Sequence, residues 1–356
     1  MRSELKSSDQ PSIRILAFGV GALGTYIAGS LALHGHRVVF LERPETAAEL
    51  RQRGLRLTIK ERTHHILEPI VVASLAEALE HGPFDVALFA LKSFDTRSAL
   101  ESMEPHLEQI PPVLCLQNGV ENEALLAERL GEGRVIPGTV TSAVGRRLAG
   151  DVVLERLRGM GVWAGHPLSQ RLTEALNQSG LNARMYAQAA DMKWSKLLTN
   201  LMANASSAIL NMTPGEIFAH PQLFRLEVEQ LREALRVMAV YKYSLVDMPG
   251  TPVRALGFAV RSLPTGLARS MLKNAVGGGR GGKMPSFHID LHSGRGQSEV
   301  DYLNGAVVRY GEQAGVPTPV NRLLNETLLG LTEGTMPLEA FSRQPGKLIE
   351  RLAQYD

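Results

Sequence analysis

Lys196, Asn200 and Asn204 stand four residues apart. On an α-helix that spacing puts all three on one face, in successive turns. An ammonium beside two carboxamides suits a small polar acid. The amides can donate to a carboxylate or a hydroxyl. The ammonium can stabilise a developing alkoxide and give it a proton. Glu299 lies in a segment whose pattern predicts another helix, with Tyr302 and Leu303 on its neighbouring apolar face. From there it could accept a hydrogen bond from a product hydroxyl and help to keep Lys196 charged. On spacing alone the same residues also fit a solvent-facing helix face carrying a routine lysine.

An alkoxide forms when hydride reaches a carbonyl carbon, and a hydride carrier needs its own cradle. Gly19-Val20-Gly21-Ala22-Leu23-Gly24 reads G-x-G-x-x-G. The first glycine permits a tight turn, the second lets the backbone approach a pyrophosphate, and the third lets helix and strand pack closely. The N-terminus of the following helix offers N–H groups and a positive dipole end to the phosphates. Glu42 lies where an acid would bond the ribose 2′-hydroxyl of NAD. Arg43, next to it, could instead pair with the 2′-phosphate of NADP.

Other polar residues have weaker claims. Lys92 and Asn118 sit just past the carboxyl ends of two apolar runs, the edge at which open α/β sheets bind ligands. Ser286 follows Pro285 and reads equally as a turn or a helix cap. Cys115, the single cysteine, lies in an apolar run and reads as a buried core thiol. His64 and His65 fall in a predicted surface hairpin. His288 and His292 could share a helix face, but no acidic cluster accompanies them in a metal pattern, so no metal is expected.

These residues need elements to hold them. Residues 13–18 form a short apolar run ending in glycine, residues 22–34 carry a helical pattern closed by Gly35, and residues 38–41 form a second apolar run. This is the opening of a βαβ unit. Further buried strands are predicted over 85–91, 113–117, 135–144 and 161–164. Helices are predicted over 74–80, 96–107 and 121–130. Such alternation implies a parallel sheet covered on both faces. From about residue 187 the periodicity turns helical, with long runs over 192–210 and 223–243.

Composition narrows the function classes. The 356 residues carry a formal net charge of +2 and 5% aromatics, which argues against a nucleic-acid surface. No apolar run is long enough to cross a bilayer. Residues 1–12 are polar, lack the apolar middle of a signal peptide, and read as a flexible leader. The expectation is a soluble cytoplasmic protein without membrane or nucleic-acid partners.

Four segments join the glycine turn: Leu91-Lys92, Gln117-Asn118-Gly119-Val120, residues 194–204, and residues 298–305 running on to Gly315-Val316-Pro317. Together they resemble the ketopantoate reductase (2-dehydropantoate 2-reductase) family from about residue 13 to about residue 330. The resemblance implies an α/β fold over residues 13–188, an N-terminal Rossmann domain with a mostly parallel doubly wound sheet. It implies an all-α domain over residues 189–356, like the C-terminal domain of 6-phosphogluconate dehydrogenase. The implied reaction is NADPH-dependent reduction of 2-dehydropantoate to pantoate in pantothenate biosynthesis. By the resemblance Lys196 is the general acid and Glu299 orients the reacting oxygen and borders the cofactor. Asn200, Asn204, Ser286 and Asn118 hold the substrate. Lys92 and Asn118 line the cofactor cleft with the turn formed by Gly19, Val20, Gly21, Ala22, Leu23 and Gly24. Arg43 takes the 2′-phosphate, which favours NADP and keeps NAD open. Two alternatives stand beside this one: an enzyme of another 2-oxo acid, including an opine-like one, and a catalytically silent NADP-binding sensor. The apolar helical domain could supply a homodimer interface.

One stretch departs from the resemblance. Residues 248–284 are long for the family and include the glycine-rich, basic 276–283. They read either as a surface elaboration or as a mobile flap near Ser286 whose Arg280 and Lys283 could reach a substrate carboxylate or a cofactor phosphate.

Overall fold

A computed structural model of the chain describes residues 12–262, 283–294 and 296–355. Among these an eight-stranded sheet has β1 (Arg14–Phe18) near its middle. To one side lie β2 (Arg37–Leu41) and β5 (Ile70–Val72). To the other lie β6 (Val86–Phe89), β7 (Val113–Cys115), β8 (Val135–Val140), β11 (Met160–Trp163) and β12 (Ala183–Tyr186). Neighbours run parallel except β8 and β11. Four of the five β1 residues are buried, as a strand covered on both faces requires, so its sequence is a continuous apolar run. The chain winds outward from β1 to β5 and then returns to β6 on the other side of β1. That reversal opens a crevice at the carboxyl edge between β1 and β6.

Six helices cover the sheet: α1 (Ala22–Leu33), α2 (Pro44–Arg53), α3 (Leu75–Glu80), α4 (Thr96–Met103), α5 (Asn122–Leu130) and α6 (Ser169–Gln178). Tyr26, Ile27, Leu172 and Leu176 pack one face, and Leu100, Met103, Leu126 and Leu130 the other. Cys115 is buried on β7, and burial pushes its thiol well up. The helix expected over 96–107 stops at Met103 and continues as a 3-10 turn over Glu104–His106. Pro105 lacks the N–H that would carry the α-helix on.

The run expected as one strand over 135–144 is two. After β8 the chain turns at Thr141 and Ser142, whose N–H groups donate to Gly159 O. It then enters β9 (Ala143–Leu148) in a second sheet of order β4 (Arg62–Ile66), β3 (Leu55–Ile59), β10 (Asp151–Arg156), β9. His64 and His65 lie exposed on β4, in a hairpin turned by Lys60 and Glu61.

Beyond β12 the described chain is helical: α7 (Ala189–Leu201), α8 (Ala205–Leu210), α9 (Pro214–Ala219), α10 (Pro221–Val240), α11 (Val253–Ser262), α12 (Ser286–Leu291), α13 (Val300–Ala314), α14 (Pro319–Thr332) and α15 (Pro345–Leu352). Trp194 anchors their core against Tyr243 and Tyr310. No helix among the described residues is long and apolar enough to cross a membrane. The helix expected over 192–210 is broken: α7 ends at Leu201, and Ala203 takes a left-handed φ of 48° before α8 starts. Apolar periodicity runs through the break because both helices are buried there.

Two carboxyls lie inside this half. Glu227 accepts hydrogen bonds from Ala203 N–H, Ser206 Oγ and Gln230 Nε2. Glu233 accepts from the N–H groups of Val320 and Asn321 and from Asn321 Nδ2, satisfying the start of α14. Burial pushes each carboxyl up to about 7 against those donors. Each folded carboxyl therefore holds its proton more tightly than in the unfolded chain. The resulting stability is complete below the ordinary carboxyl value and is lost as pH rises through about 7. Glu227→Gln removes one such titration, and its amide can still donate to Ser206 Oγ. The variant should gain up to about 3 kcal/mol over the parent at pH 8 and under about 1 kcal/mol at pH 5. Melting curves at the two pH values check this; an equal Tm difference at both would overturn it.

Candidate active site

The glycine turn follows β1 and opens α1. Gly19 has φ +86°, and a Cβ there would sit 2.6 Å from Leu91 Cδ2, past the end of β6. A Cβ on Gly24 would lie 2.0 Å from Gly19 O, so the helix closes directly on the turn. Nothing lies within 4 Å of a Cβ built on Gly21. The first in-helix bond runs from Thr25 N–H to Gly21 O, so the N–H groups of Ala22, Leu23 and Gly24 precede it. No acidic residue occupies the first turn of α1. A closed first and third glycine, an open second one and an uncompensated helix N-terminus fit a pyrophosphate.

The end of β2 serves the same turn. Glu42 Oε1 accepts Val20 N–H at 2.8 Å, and Oε2 accepts Arg43 N–H at 2.9 Å. Arg43 stands at the N-cap position of α2; its side chain is 82% exposed, and its guanidinium lies 3.7 Å from Asp95 on the rim.

Across the crevice the two halves meet in one polar network. Lys92, after β6, donates to Glu299 Oε2 at 2.7 Å and to Asp290 Oδ2 at 2.9 Å. Burial alone would lower its pKa, but the two facing carboxylates outweigh that and hold the ammonium above the ordinary lysine value. Ser93 N–H donates to Glu299 Oε1, and Ser93 Oγ lies 3.2 Å from both that oxygen and Asn118 O. Asn200 Nδ2 donates to Asn118 Oδ1 at 3.0 Å. Asn204 Nδ2 donates to Asn200 O, and Asn204 Oδ1 accepts Phe287 N–H. Glu299 is buried, and Lys92 and Ser93 supply its hydrogen-bond partners there.

The crevice thus gathers Lys92, Asn118, Asn200, Asn204 and Glu299. Lys196 is half-buried on α7, one turn before Asn200. Three placements correct the sequence reading. Asn204 does not continue the helix face of Lys196 and Asn200; it stands at the N-cap of α8, beyond the break. Glu299 is not inside a helix but at the N-cap of α13, where it accepts a hydrogen bond from the Lys92 ammonium. Lys283, expected to reach a substrate carboxylate or a cofactor phosphate, is instead placed against Glu155 on β10 of the second sheet. Arg280, the rest of the glycine-rich segment and leader residues 1–11 lie outside the described residues. Ser286 is exposed at the first position of α12, and Phe287 beside it makes the bond to Asn204.

Sequence reasoning missed Ser93 and Asp290. Ser93 follows Lys92 directly, and Asp290 stands four residues after Ser286, one turn further along α12. Those spacings were the available signals.

Residues 15–165 match the model of the family described as ketopantoate reductase PanE/ApbA, and residues 188–331 match the model of its C-terminal region. A 2-dehydropantoate 2-reductase of Pyrobaculum aerophilum is 30% identical over 237 residues, 67% of this chain and 73% of that protein. The chain belongs to the ketopantoate reductase family. It is thereby an oxidoreductase acting on a CH–OH group. A PanE/ApbA family ketopantoate reductase from Ralstonia eutropha JMP134 superposes with a TM-score of 0.74 at 26% identity, over 90% of this chain and 99% of that one. The ketopantoate reductase fold recurs at 20% identity in D-mandelate dehydrogenase, solved with NADH and anilino(oxo)acetate, with a TM-score of 0.73 over 90% of this chain and 98% of that one.

Proposed function

We propose that this member of the family reduces 2-dehydropantoate to pantoate with NADPH, in pantothenate biosynthesis in the cytoplasm. The observation that carries the reading is the meeting of Lys92, Asn118, Asn200, Asn204 and Glu299 at the sheet's carboxyl edge, beside the glycine turn. When bound, the dinucleotide supplies hydride to the substrate's ketone carbon. Lys196 gives its proton to the ketone oxygen as that oxygen becomes an alkoxide, and regains one from solvent. Glu299, fixed by Lys92 and Ser93, presents a carboxylate oxygen that orients the reacting hydroxyl. Asn200, Asn204, Asn118 and Ser286 hold the acid through their amides and hydroxyl. Gly19 to Gly24 would hold the pyrophosphate, and Lys92 and Asn118 would line the cleft between cofactor and substrate.

NADP over NAD rests on Arg43. Both Glu42 oxygens accept backbone N–H groups, which ties that carboxylate to the turn, while the exposed Arg43 guanidinium can meet a 2′-phosphate. Arg43→Ala should raise KM for NADPH roughly ten- to a hundredfold, the worth of a charge-assisted pair, and leave KM for NADH unchanged. An equal rise for both cofactors would remove the assignment.

A second reading has support in the fold shared with D-mandelate dehydrogenase: an enzyme of another 2-oxo acid, using NADH. One assay separates the readings. NADPH absorbance is followed with 2-dehydropantoate and with a panel of 2-oxo acids, then again with NADH. Preferred consumption of NADPH with 2-dehydropantoate supports the first reading. Preference for another acid or for NADH supports the second. No consumption with any acid would leave an NADP-binding sensor.

A further inference from the structure

We propose that Glu227 is a positioning residue for the substrate end of the site, fixing the break between α7 and α8 and so setting where Asn200 and Asn204 present their amides. The inference rests on the reading above, in which those amides hold the 2-oxo acid.

The break is a three-residue turn, Met202 to Asn204, with Ala203 in the left-handed region that alanine enters only at a cost. Such a conformation persists where its surroundings over-determine it. Here they do. Ala203 N–H donates to Glu227 Oε2 at 2.7 Å. Gln230, one turn further along α10, donates from Nε2 to the same carboxylate oxygen and to Leu201 O, the last carbonyl of α7. Ser206 Oγ, in the first turn of α8, donates to Glu227 Oε1. One buried carboxyl and its amide neighbour therefore grip the end of α7, the turn and the start of α8 together.

What the turn delivers is Asn204. Its Nδ2 donates to Asn200 O at 3.1 Å, and its Oδ1 accepts Phe287 N–H at 3.2 Å. Asn204 thus ties the substrate helix to the start of α12, which carries Ser286 and Asp290, and Asp290 reaches Lys92. A displaced turn would move Asn204, loosen Asn200 and shift α12 at once. Stability alone gives little reason for a carboxylate in this position. Glu227 is 1% exposed, and well-packed apolar residues in place of buried charged groups are often neutral or stabilising.

The test compares Glu227→Ala with Glu227→Gln in the full-length protein. Glu227→Ala takes the acceptor from Ala203 N–H and Ser206 Oγ and one of the two from Gln230 Nε2, and should raise KM for 2-dehydropantoate at least about tenfold. NADPH affinity, read by fluorescence titration, should stay within about twofold, because the glycine turn is untouched. Glu227→Gln keeps an acceptor for Ala203 N–H and should restore KM. A readout independent of turnover is hydrogen–deuterium exchange over residues 199–208: protection should fall in the alanine variant and return in the glutamine variant. Should Glu227→Ala fail to fold, Ser206→Ala removes one donor of the same cluster and should show a smaller rise in KM with the same unchanged NADPH affinity. Active wild type with unchanged KM and unchanged exchange in Glu227→Ala would overturn the role of Glu227 alone. Wild type inactive on every 2-oxo acid would overturn the functional reading, and this inference with it.

Discussion

Lys196→Ala should lower kcat by roughly two to four orders of magnitude, the usual worth of a positioned proton donor, while NADPH affinity stays at the wild-type value. The argument starts from α7. Lys193, Lys196 and Asn200 share the side of this helix turned to the carboxyl ends of β7 and β8. Lys193 is a structural lysine: its side chain is 5% exposed, and its ammonium reaches Gln117 O, Gly138 O and Glu123. Lys92 holds Glu299 and Asp290 and so joins the two halves. Lys196 is half-buried, one turn from the amide that meets Asn118. Lys196→Arg sharpens the test. It keeps the positive charge but holds its proton too tightly to donate it. KM for the acid should stay close to wild type while kcat remains low. Turnover near wild type in Lys196→Ala would refute its role as the acid.

The parts legible in the sequence are those written by local rules. β1, β6 and β7 are covered on both faces, so they appear as short unbroken apolar runs. The glycine turn is legible because sterics leave little choice: Leu91 and the Gly19 carbonyl occupy the space side chains would need. Of the second sheet only the hairpin carrying His64 and His65 was legible. β4 is exposed along most of its length, and β9 continues the apolar run of β8 into a different sheet. The site's residues could be named, but not their partners. Lys92 meets Asp290 and Glu299 across about two hundred residues of chain, and no local pattern encodes such a pairing. The break after Leu201 has the same origin, since it is held by Glu227 from another helix.

Gly24→Ala and Gly21→Ala should both abolish tight dinucleotide binding, but for different physical reasons. At Gly24 the added methyl would stand 2.0 Å from Gly19 O and 3.1 Å from Gly19 C. Both are backbone atoms of the turn, so neither can swing aside as a side chain could. The start of α1 must lift from β1, at a cost of about 1–3 kcal/mol. Tm and NADPH affinity should fall together. At Gly21 the backbone is extended, with φ −73° and ψ −167°, which alanine adopts freely, and the added methyl meets nothing within 4 Å. Tm should therefore stay at the wild-type value. The same methyl occupies the approach to the N–H groups of Ala22, Leu23 and Gly24, where a pyrophosphate must come close. Loss of NADPH affinity without loss of stability is the signature that separates a ligand cradle from a tight turn kept only for packing. Wild-type affinity in Gly21→Ala would show that the pyrophosphate does not lie on this face of the turn. A fall in Tm as large as that of Gly24→Ala would show that Gly21 is needed for the fold.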